Sequence, residues 1–247
     1  MSNTPKNIIQ RSGKNVIIKK KKKMCFIGTL YNTLQRSEMP FETQIKICNV
    51  KRKVNHCVDN IINAGVTMTK PGALKYLLWG SQPSEHSVSI KFGKVGEVMF
   101  QELIKASPHM ELLKCGVQII NDKGKKKDID LIWKDKQKKI IYFRECKGNF
   151  EMDSEKLPAT FAKVKHDIAP FLGNEYPDYK IDCGILNWSV YSREIVKKTV
   201  SHIKNCEKNG IKVDHVKDFL KNINFEWSEE NYYTYFKSIG KKINQMF

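Results

Sequence analysis

The stretch DIDLIWKDKQKKIIYFRECK, from Asp128 to Lys147, decides the fold that the sequence predicts. It contains two apolar runs joined by a polar turn, residues 134–138, which is the pattern of two antiparallel strands. Both runs are apolar on both of their alternating faces over the middle of each strand. We therefore expect the two strands to lie inside a sheet that is covered on both sides.

The charged residues of this hairpin gather at one end of the two predicted strands. A turn over residues 134–139 would set Asp130 opposite Phe143 and Asp128 opposite Glu145. A two-residue slip in this pairing would keep the same side chains on one face, because side chains alternate along a strand. Carboxylates are therefore expected to converge with a lysine where buried strands leave the sheet.

Clustered carboxylates repel one another and are costly to desolvate, and a hard cation relieves both problems. Mg²⁺ prefers carboxylate oxygens and retained water, and it can activate water beside a phosphate. Lys147 would then offset negative charge next to the scissile group. The same residues also fit plainer roles: Glu145 and Lys147 could form a simple salt bridge, and Asp128 could only cap the turn.

Upstream of the hairpin, the spacing of apolar residues predicts a helix over 87–106. Glu97 lies at the border of its buried arc, and Gly93 and Gly96 flank it, which allows another backbone to approach closely. Glu97 is thus a further candidate for the site, although acids are also ordinary on the solvent face of a helix.

The remaining pattern predicts an α/β fold with a central mixed β-sheet flanked by helices. We expect a basic arm over 1–23 and one domain over 24–247, with its core at about 85–207 and helical additions at 42–64 and 211–247. The four Trp are expected in the core. The other predicted helices are 158–169, 190–207, 213–222 and 228–245, and the other predicted strands are 112–121, with Gly116 as a bulge, and 180–187.

Taken together, these segments resemble the PD-(D/E)xK nuclease superfamily over about residues 90–190. The resemblance rests on Asp130 in DIDLIW, on Glu145, Cys146 and Lys147 in YFRECKG, and on Glu97 in GKVGEVMFQELI. The proline that the family carries before its catalytic Asp is Ile129 here, which leaves Asp128 as a rival for the role of Asp130.

The resemblance implies a restriction-endonuclease-like core with extra N- and C-terminal helices. It also implies that Asp130, Glu145 and the backbone carbonyl of Cys146 bind Mg²⁺, for which Mn²⁺ can substitute. Glu97 and Asp128 are additional candidate ligands. Catalysis would rest on the set Asp130, Glu145, Lys147 and Glu97.

The implied function is that of a type II restriction endonuclease, which cuts double-stranded DNA at a short sequence and leaves a 5′-phosphate and a 3′-hydroxyl. Its expected partners are duplex DNA, a second copy of the chain and, indirectly, a cognate DNA methyltransferase. Two alternatives remain open: a structure-specific or repair nuclease of the resolvase type, and a non-catalytic DNA-binding protein with a nuclease-like core. The helix after the hairpin, with Lys163, Lys165 and His166, could follow a phosphate strand or only connect two elements.

Composition favours a nucleic-acid partner. The 247 residues include 44 Lys and Arg against 26 Asp and Glu, a formal net charge of +18. A field of this size attracts polyanions. The sequence also predicts a cytoplasmic protein with no membrane span. The seven Cys show no disulfide pattern, the His are scattered, and there is neither a secretory signal nor an apolar run of about 20 residues.

Overall fold

A computed structural model of the chain describes residues 39–148, 150, 156–196 and 201–245. The basic arm predicted for 1–23 lies outside these residues. The chain divides into two units, Met1–Ile45 and Lys46–Phe247, and the described part of the first unit is residues 39–45, where helix α1 begins. No helix in the described part of the chain is long and apolar enough to cross a membrane.

The second unit is built around a five-stranded mixed sheet, so the predicted α/β class with a central mixed sheet and flanking helices is confirmed. The strand order is β1-β4-β5-β6-β7, with antiparallel pairs on the β1 side of β5 and parallel pairs on the β7 side. A separate ribbon contains β2 and β3. The strands are β1 Met110–Leu112, β2 Gly116–Ile119, β3 Lys126–Ile129, β4 Leu131–Asp135, β5 Ile140–Lys147, β6 Lys180–Asn187 and β7 Lys212–His215.

Helices cover both faces of this sheet. Those before it are α1 Phe41–Asn63, α2 Leu74–Trp79 and α3 Glu85–Ala106. Between β5 and β6 the chain forms α4 Leu157–Ala162, a π-helical segment Lys163–Ile168 and α5 Ala169–Glu175. A 3₁₀ turn, Arg193–Val196, precedes α6 Ser201–Lys208, and the chain closes with α7 Val216–Asn222 and α8 Glu229–Asn244.

Two apolar layers hold the sheet between the helices. On one face, Trp133 stacks on Tyr142 and meets Phe219 of α7, which in turn packs edge-on against Phe100 of α3. On the other face, buried residues of the sheet and of the π-helical segment form a second cluster. Its buried members are Ile120, Ile129, Ile132, Ile141, Phe143, Val164, Ile168 and Leu172.

The register of the central hairpin differs by two residues from the predicted one. Ile132, and not Asp130, pairs with Phe143, and the hairpin closes at the pair of Asp135 and Ile140. The reason lies in the turn, because the Asp135 carboxylate accepts hydrogen bonds from the backbone N–H groups of Gln137 and of the next residue, each at 2.9 Å. The side chain therefore closes a turn of the expected length one residue further along the chain, which shifts the strand pairing by two residues.

Two predicted strands are each divided in the structure. The strand expected over 112–121 breaks into β1 and β2, and Gly116, with a φ of 90°, lies at the start of β2. The strand expected from Asp128 breaks at Asp130, so that Asp128 pairs with Val117 in the ribbon rather than standing opposite Glu145. The two interruptions lie at the same place in the structure, because each is where the chain passes between the main sheet and the β2–β3 ribbon.

The C-terminal part contains a strand that the sequence did not predict. Residues Lys212–His215 form β7 at the edge of the sheet, within the segment expected to be a helical addition, and helix α7 begins only at Val216. In the segment predicted as helix 190–207, the described residues form the 3₁₀ turn and α6. Trp79 is 63% exposed, contrary to its expected burial, whereas Trp133 and Trp227 are buried.

Candidate functional site

Asp130 lies at the junction where the ribbon becomes strand β4. Its Oδ2 accepts a hydrogen bond of 2.8 Å from the backbone N–H of Cys146, and its own carbonyl accepts one of 3.2 Å from Nε2 of Gln101 on α3. The carboxylate is thus fixed to the end of β5 and the backbone to α3. The side chain keeps 13% of its surface exposed, so it is reachable from solvent.

Glu145 lies next to Asp130 because the shifted register brings the end of β5 level with the junction. The two carboxylates share one cation, the ammonium group of Lys163. Its Nζ contacts Oε2 of Glu145 and lies 3.5 Å from Oδ1 of Asp130. The side chains from the strand, the junction and the helix therefore meet in one cluster at the edge of the sheet.

Lys163 reaches this cluster from the first residue of the π-helical segment. The neighbouring Val164 and Ile168 are buried in the core beneath the sheet, so they fix the rotation of the helix. A π-helical turn adds a residue to the repeat, and such turns are frequent at functional sites. The sequence indicated Lys163 only as a group that could follow phosphates, since its place between two carboxylates depends on this local change of helix type.

Lys147 completes the acid–x–lysine pair on the same face of β5 as Glu145. Its Nζ lies 3.4 Å from Oε1 of Glu145. The salt bridge that the sequence suggested as the plainer role therefore exists. It is part of a larger cluster, however, because the other oxygen of Glu145 faces Lys163 and, beyond it, Asp130.

Glu97 lies on α3 at the rim of this cluster, and its carboxylate pairs with Lys94 at 2.7 Å. Its neighbour Gly96 is required by packing, since a Cβ atom there would lie 2.5 Å from Cε2 of the Trp188 indole. The same indole closes on Gly148, just after β5. The Trp188 indole therefore packs between α3 and the end of β5. At Gly93, by contrast, no atom of the described residues lies within 4 Å of the Cβ position.

Asp128 is exposed on the ribbon, and the structure does not bring it into contact with the other acids. It acts at longer range, since its charge contributes to raising the pKa of both Lys94 and Lys163. The structure therefore brings together Asp130, Glu145 and Lys147, and it adds Lys163. It leaves Glu97 and Asp128 at the border of the cluster.

The electrostatics of the cluster disfavour the charged form of Asp130. Burial raises the pKa of Asp130 from 3.8 to about 7, and the nearby Glu145 carboxylate adds to the rise, while the Lys163 ammonium and the hydrogen bond from Cys146 oppose it. Burial works against the charge of Lys163, yet the two carboxylates outweigh it and raise the pKa of that ammonium. The negative charge of the cluster is thus only partly compensated.

The donor groups of the cluster fit a hard divalent cation. Asp130 and Glu145 offer carboxylate oxygens, and Mg²⁺ is often held by one or two carboxylates together with water. Within the described ranges, no three groups of the Asp, Glu, His or Cys type are arranged to hold a metal. A metal at this place would rely on the two carboxylates and would take the position that the ammonium of Lys163 holds between them.

The Cys146 side chain adds no reactive group to the site. Burial raises the pKa of this thiol well above its usual value, and the charges of Asp130 and Glu97 add to the rise. A protonated thiol is a poor nucleophile and a poor metal ligand. Cys146 therefore contributes to the site through its backbone, which holds Asp130.

Comparison of the chain with protein-family models, with curated proteins and with solved structures yields no match.

Proposed function

We propose that this protein is a Mg²⁺-dependent endonuclease that hydrolyses phosphodiester bonds in double-stranded DNA, with a restriction-endonuclease-like core. One observation carries the proposal. The carboxylates of Asp130, just before β4, and of Glu145, near the end of the neighbouring β5, converge on a single cationic position, with Lys147 on the same face of β5. Two carboxylates that could hold a metal ion, with a lysine beside them, fit metal-assisted hydrolysis of a phosphodiester.

In this proposal, Asp130 and Glu145 hold the metal, and the backbone carbonyl of Cys146 is a further ligand, as the family resemblance implies. Mn²⁺ would serve in place of Mg²⁺, because both prefer oxygen donors. When bound, the metal would supply Lewis-acid stabilisation of the phosphate and a more acidic water molecule.

The side chains of the chain itself have distinct tasks. The backbone N–H of Cys146 and the amide of Gln101 hold Asp130 in place, so that its carboxylate needs no reorganisation. Lys147 offsets negative charge on the phosphate, since a fixed cation in a partly buried site acts more strongly than in water. Lys163 neutralises the two acids when no metal is bound. When a metal binds to those acids instead, the ammonium of Lys163 is available to a phosphate oxygen.

The charge of the chain supports DNA as the substrate. A net charge of +18 on 247 residues favours a polyanionic partner, and each phosphate contact adds affinity through counterion release. For a type II restriction endonuclease we propose cutting of both strands at a short sequence by a homodimer, whose two-fold symmetry would match a palindromic site. A cognate DNA methyltransferase would protect the host DNA.

The test is incubation of the purified protein with phage DNA in Mg²⁺, in Mn²⁺ and in EDTA. Discrete fragments with 5′-phosphate and 3′-hydroxyl ends, formed only with metal, are expected, and sequencing their ends reports the recognition sequence. Cutting of branched DNA while linear duplex stays intact would favour the resolvase-like alternative. Random degradation, or no cutting of either substrate at any metal concentration, would contradict the proposal.

A second candidate function is supported by Lys163. Because its ammonium already pairs with Glu145 and approaches Asp130, the two acids are partly neutralised without a metal. A chain that keeps this ion cluster permanently would be a DNA-binding protein with a non-catalytic core. It would bind duplex DNA equally in EDTA and in Mg²⁺ and would cut neither linear nor branched DNA.

A further inference from the structure

The β2–β3 ribbon, residues 116–129, leads directly into Asp130, and the proposed chemistry does not use it. Among the described residues its two strands form a separate two-stranded sheet, and a tight turn joins them. Ile120 donates its backbone N–H to the carbonyl of Lys125, and Asn121 Oδ1 accepts from the N–H of the same lysine. Gly124 takes a φ of 74° there, so the tip is a defined turn and not a loose loop.

The ribbon is anchored at its tip as well as at its base. Ile120, where the turn begins, and Ile129, next to Asp130, are both buried in the core below the sheet. Lys125 and Lys127 both pair with Asp167 of the π-helical segment, at 2.6 and 2.9 Å. The ribbon is therefore fixed to the same helical segment that supplies Lys163, and its direction relative to Asp130 is set by packing.

One face of the ribbon is left to solvent. The register places Val117 beside Asp128 and Ile119 beside Lys126, so these four side chains share a face. Val117 is 63% and Ile119 is 59% exposed. Within the described part of the chain, these two β-branched side chains form an adjacent exposed apolar pair beside a lysine, which favours a contact surface on this face.

The charge of the chain favours an anionic partner, and the tip offers exposed lysines to it. The segment 122–128, DKGKKKD, contains four lysines against two aspartates, in a chain with a net charge of +18. Asp167 takes up two of these lysines, and the exposed Lys123 and Lys126 remain beside the exposed Asp122 and Asp128. Pairing of the ribbon with a second copy is disfavoured, because lysines on open strands block edge-to-edge association.

The dimensions of the ribbon suit a DNA groove. A strand advances about 3.3 Å per residue, so the run from Gly124 to Asp130 spans roughly 20 Å. The major groove of B-DNA is about 12 Å wide and admits a two-stranded ribbon. Because the chain passes straight from the ribbon into Asp130, a ribbon seated in the groove would place a nearby phosphate at the site.

We propose that the β2–β3 ribbon enters the major groove of the DNA, with Lys123 and Lys126 on phosphates and with Val117 and Ile119 on base edges. The methyl group of thymine is the apolar group that the major groove offers to such side chains. This inference rests on the proposed function for its substrate, and it assigns to the ribbon the recognition of that substrate.

The phosphate contacts are tested by binding of a labelled pool of short random-sequence duplexes in EDTA, where no cutting occurs. The variant Lys123→Gln/Lys126→Gln should bind more weakly at every sequence. The slope of log affinity against log salt should fall by about two, one unit for each phosphate that a lysine no longer neutralises. The control Lys237→Gln/Lys241→Gln removes the same charge from the exposed side of α8 and should keep the slope of the unmodified protein.

The base contacts are tested on the duplex that the protein selects from the same pool. Replacing its thymines by deoxyuridine removes only the methyl groups. The unmodified protein should lose roughly fourfold in affinity for each contacted methyl, the usual value of one buried carbon group. The variant Val117→Ser/Ile119→Ser should bind both duplexes equally.

The results separate the ribbon from the proposed function. Equal binding of the thymine and deoxyuridine duplexes by the unmodified protein would overturn reading of the groove. If both lysine pairs changed the salt slope alike, the ribbon would have no special role, even if the protein cut DNA. A protein that binds no duplex at all would overturn the proposed function as well as the ribbon.

Discussion

Strand β5 carries a cluster of charged side chains on each of its two faces, centred on the adjacent residues Arg144 and Glu145. On the first face the Arg144 guanidinium is fully buried. Its Nε donates to Asp214 Oδ2 at 2.8 Å, its Nη1 donates to two backbone carbonyls, and its Nη2 lies 2.7 Å from Asp182 Oδ1. Asn222 adds a further hydrogen bond to Asp214.

The Glu145 cluster is built with less compensation. Lys163 contacts Glu145 but stays 3.5 Å from Asp130, whose carboxylate has one described hydrogen bond, from the backbone. The consequence is visible in the pKa of Asp130, which burial and Glu145 raise to about 7.

The two clusters differ in whether their charged groups are already paired within the fold or remain able to bind a ligand. A buried arginine whose guanidinium group faces two carboxylates and two backbone carbonyls holds strands together. It has few N–H donors left for a ligand. A cluster of acids that is reachable from solvent and incompletely neutralised is stabilised when a cation binds to it. Perturbed groups of this kind concentrate at functional sites.

The largest effect is expected from removing a charge of the Glu145 cluster. Asp130→Asn should reduce Mg²⁺-dependent cleavage of plasmid DNA by about 10⁴-fold or more, roughly 5 kcal/mol of transition-state stabilisation, because the substitution removes a proposed metal ligand. Duplex binding in EDTA should persist. Glu145→Gln and Lys147→Ala should act in the same way.

The matched control for this loss is Asp182→Asn in the Arg144 cluster. It should lower the unfolding temperature yet keep the cleavage rate at temperatures where the variant is folded. Cleavage at the unmodified rate by Asp130→Asn, together with its loss in Asp128→Asn, would move the metal ligand to the ribbon. Equal loss in the Asp130 and Asp182 variants would break the distinction between the two clusters.

The second effect concerns stability and the other face of β5. Arg144→Met should lower the free energy of unfolding in urea by about 3–5 kcal/mol, since two carboxylates are left without their buried cation. Arg193→Met is the matched control, because that arginine also pairs with an acid, Glu207 at 2.7 Å, but both side chains are about half exposed. It should cost less than about 1 kcal/mol. Equal costs would mean that the Arg144 cluster is not the structural one.

The sequence predicted the elements that depend on local pattern. The strands over 140–147 and 180–187 and the helices over 41–63, 85–106 and 229–244 agree with the expected ones to within a few residues. Helix α8 starts where Ser228 caps it, as the Ser-Glu-Glu sequence indicated, with Ser228 Oγ accepting from the N–H of Asn231.

The features that the sequence did not predict depend on contacts between distant residues. Strand β7 has four residues, too few for a period, and it forms because β6 offers an edge. The place of Lys163 depends on a π-helical turn fixed by the core. The two-residue register shift depends on Asp135. It brings Asp130, in place of Asp128, next to Glu145, and it keeps the acids on one face because side chains alternate with a period of two.

The third effect is a pH dependence of stability that originates in the Glu145 cluster. Asp130 faces Glu145 on β5, Lys163 on the π-helical segment and Glu97 on α3. Its pKa is raised from 3.8 to about 7, so the folded state binds its proton more tightly than the unfolded state. This contribution is fully present below about pH 4 and is lost as pH rises to about 7.

Comparison with Asp130→Asn isolates that contribution, because the amide resembles the protonated acid. In metal-free buffer the unmodified protein should lose stability relative to the variant, on the order of a few kcal/mol, between pH 4 and 7, with no further change above. Urea unfolding at several pH values measures it. Parallel curves for the two proteins would show that the charge of the Asp130 carboxylate is adequately compensated in the folded state.

The smallest effect compares one lysine of each cluster, Lys163 and Lys212. Lys163→Gln removes the cation between two acids and should cost about 1–3 kcal/mol in EDTA, whereas millimolar Mg²⁺ should restore much of that loss by occupying the vacated position. Lys212→Gln in the Arg144 cluster removes a half-exposed lysine 3.4 Å from Asp182. It should cost less than about 1 kcal/mol, and Mg²⁺ should change nothing. Thermal unfolding of both variants with and without Mg²⁺ distinguishes the cases. If Mg²⁺ stabilised Lys163→Gln no more than Lys212→Gln, Asp130 and Glu145 would hold no metal, and the non-catalytic core would be the better account.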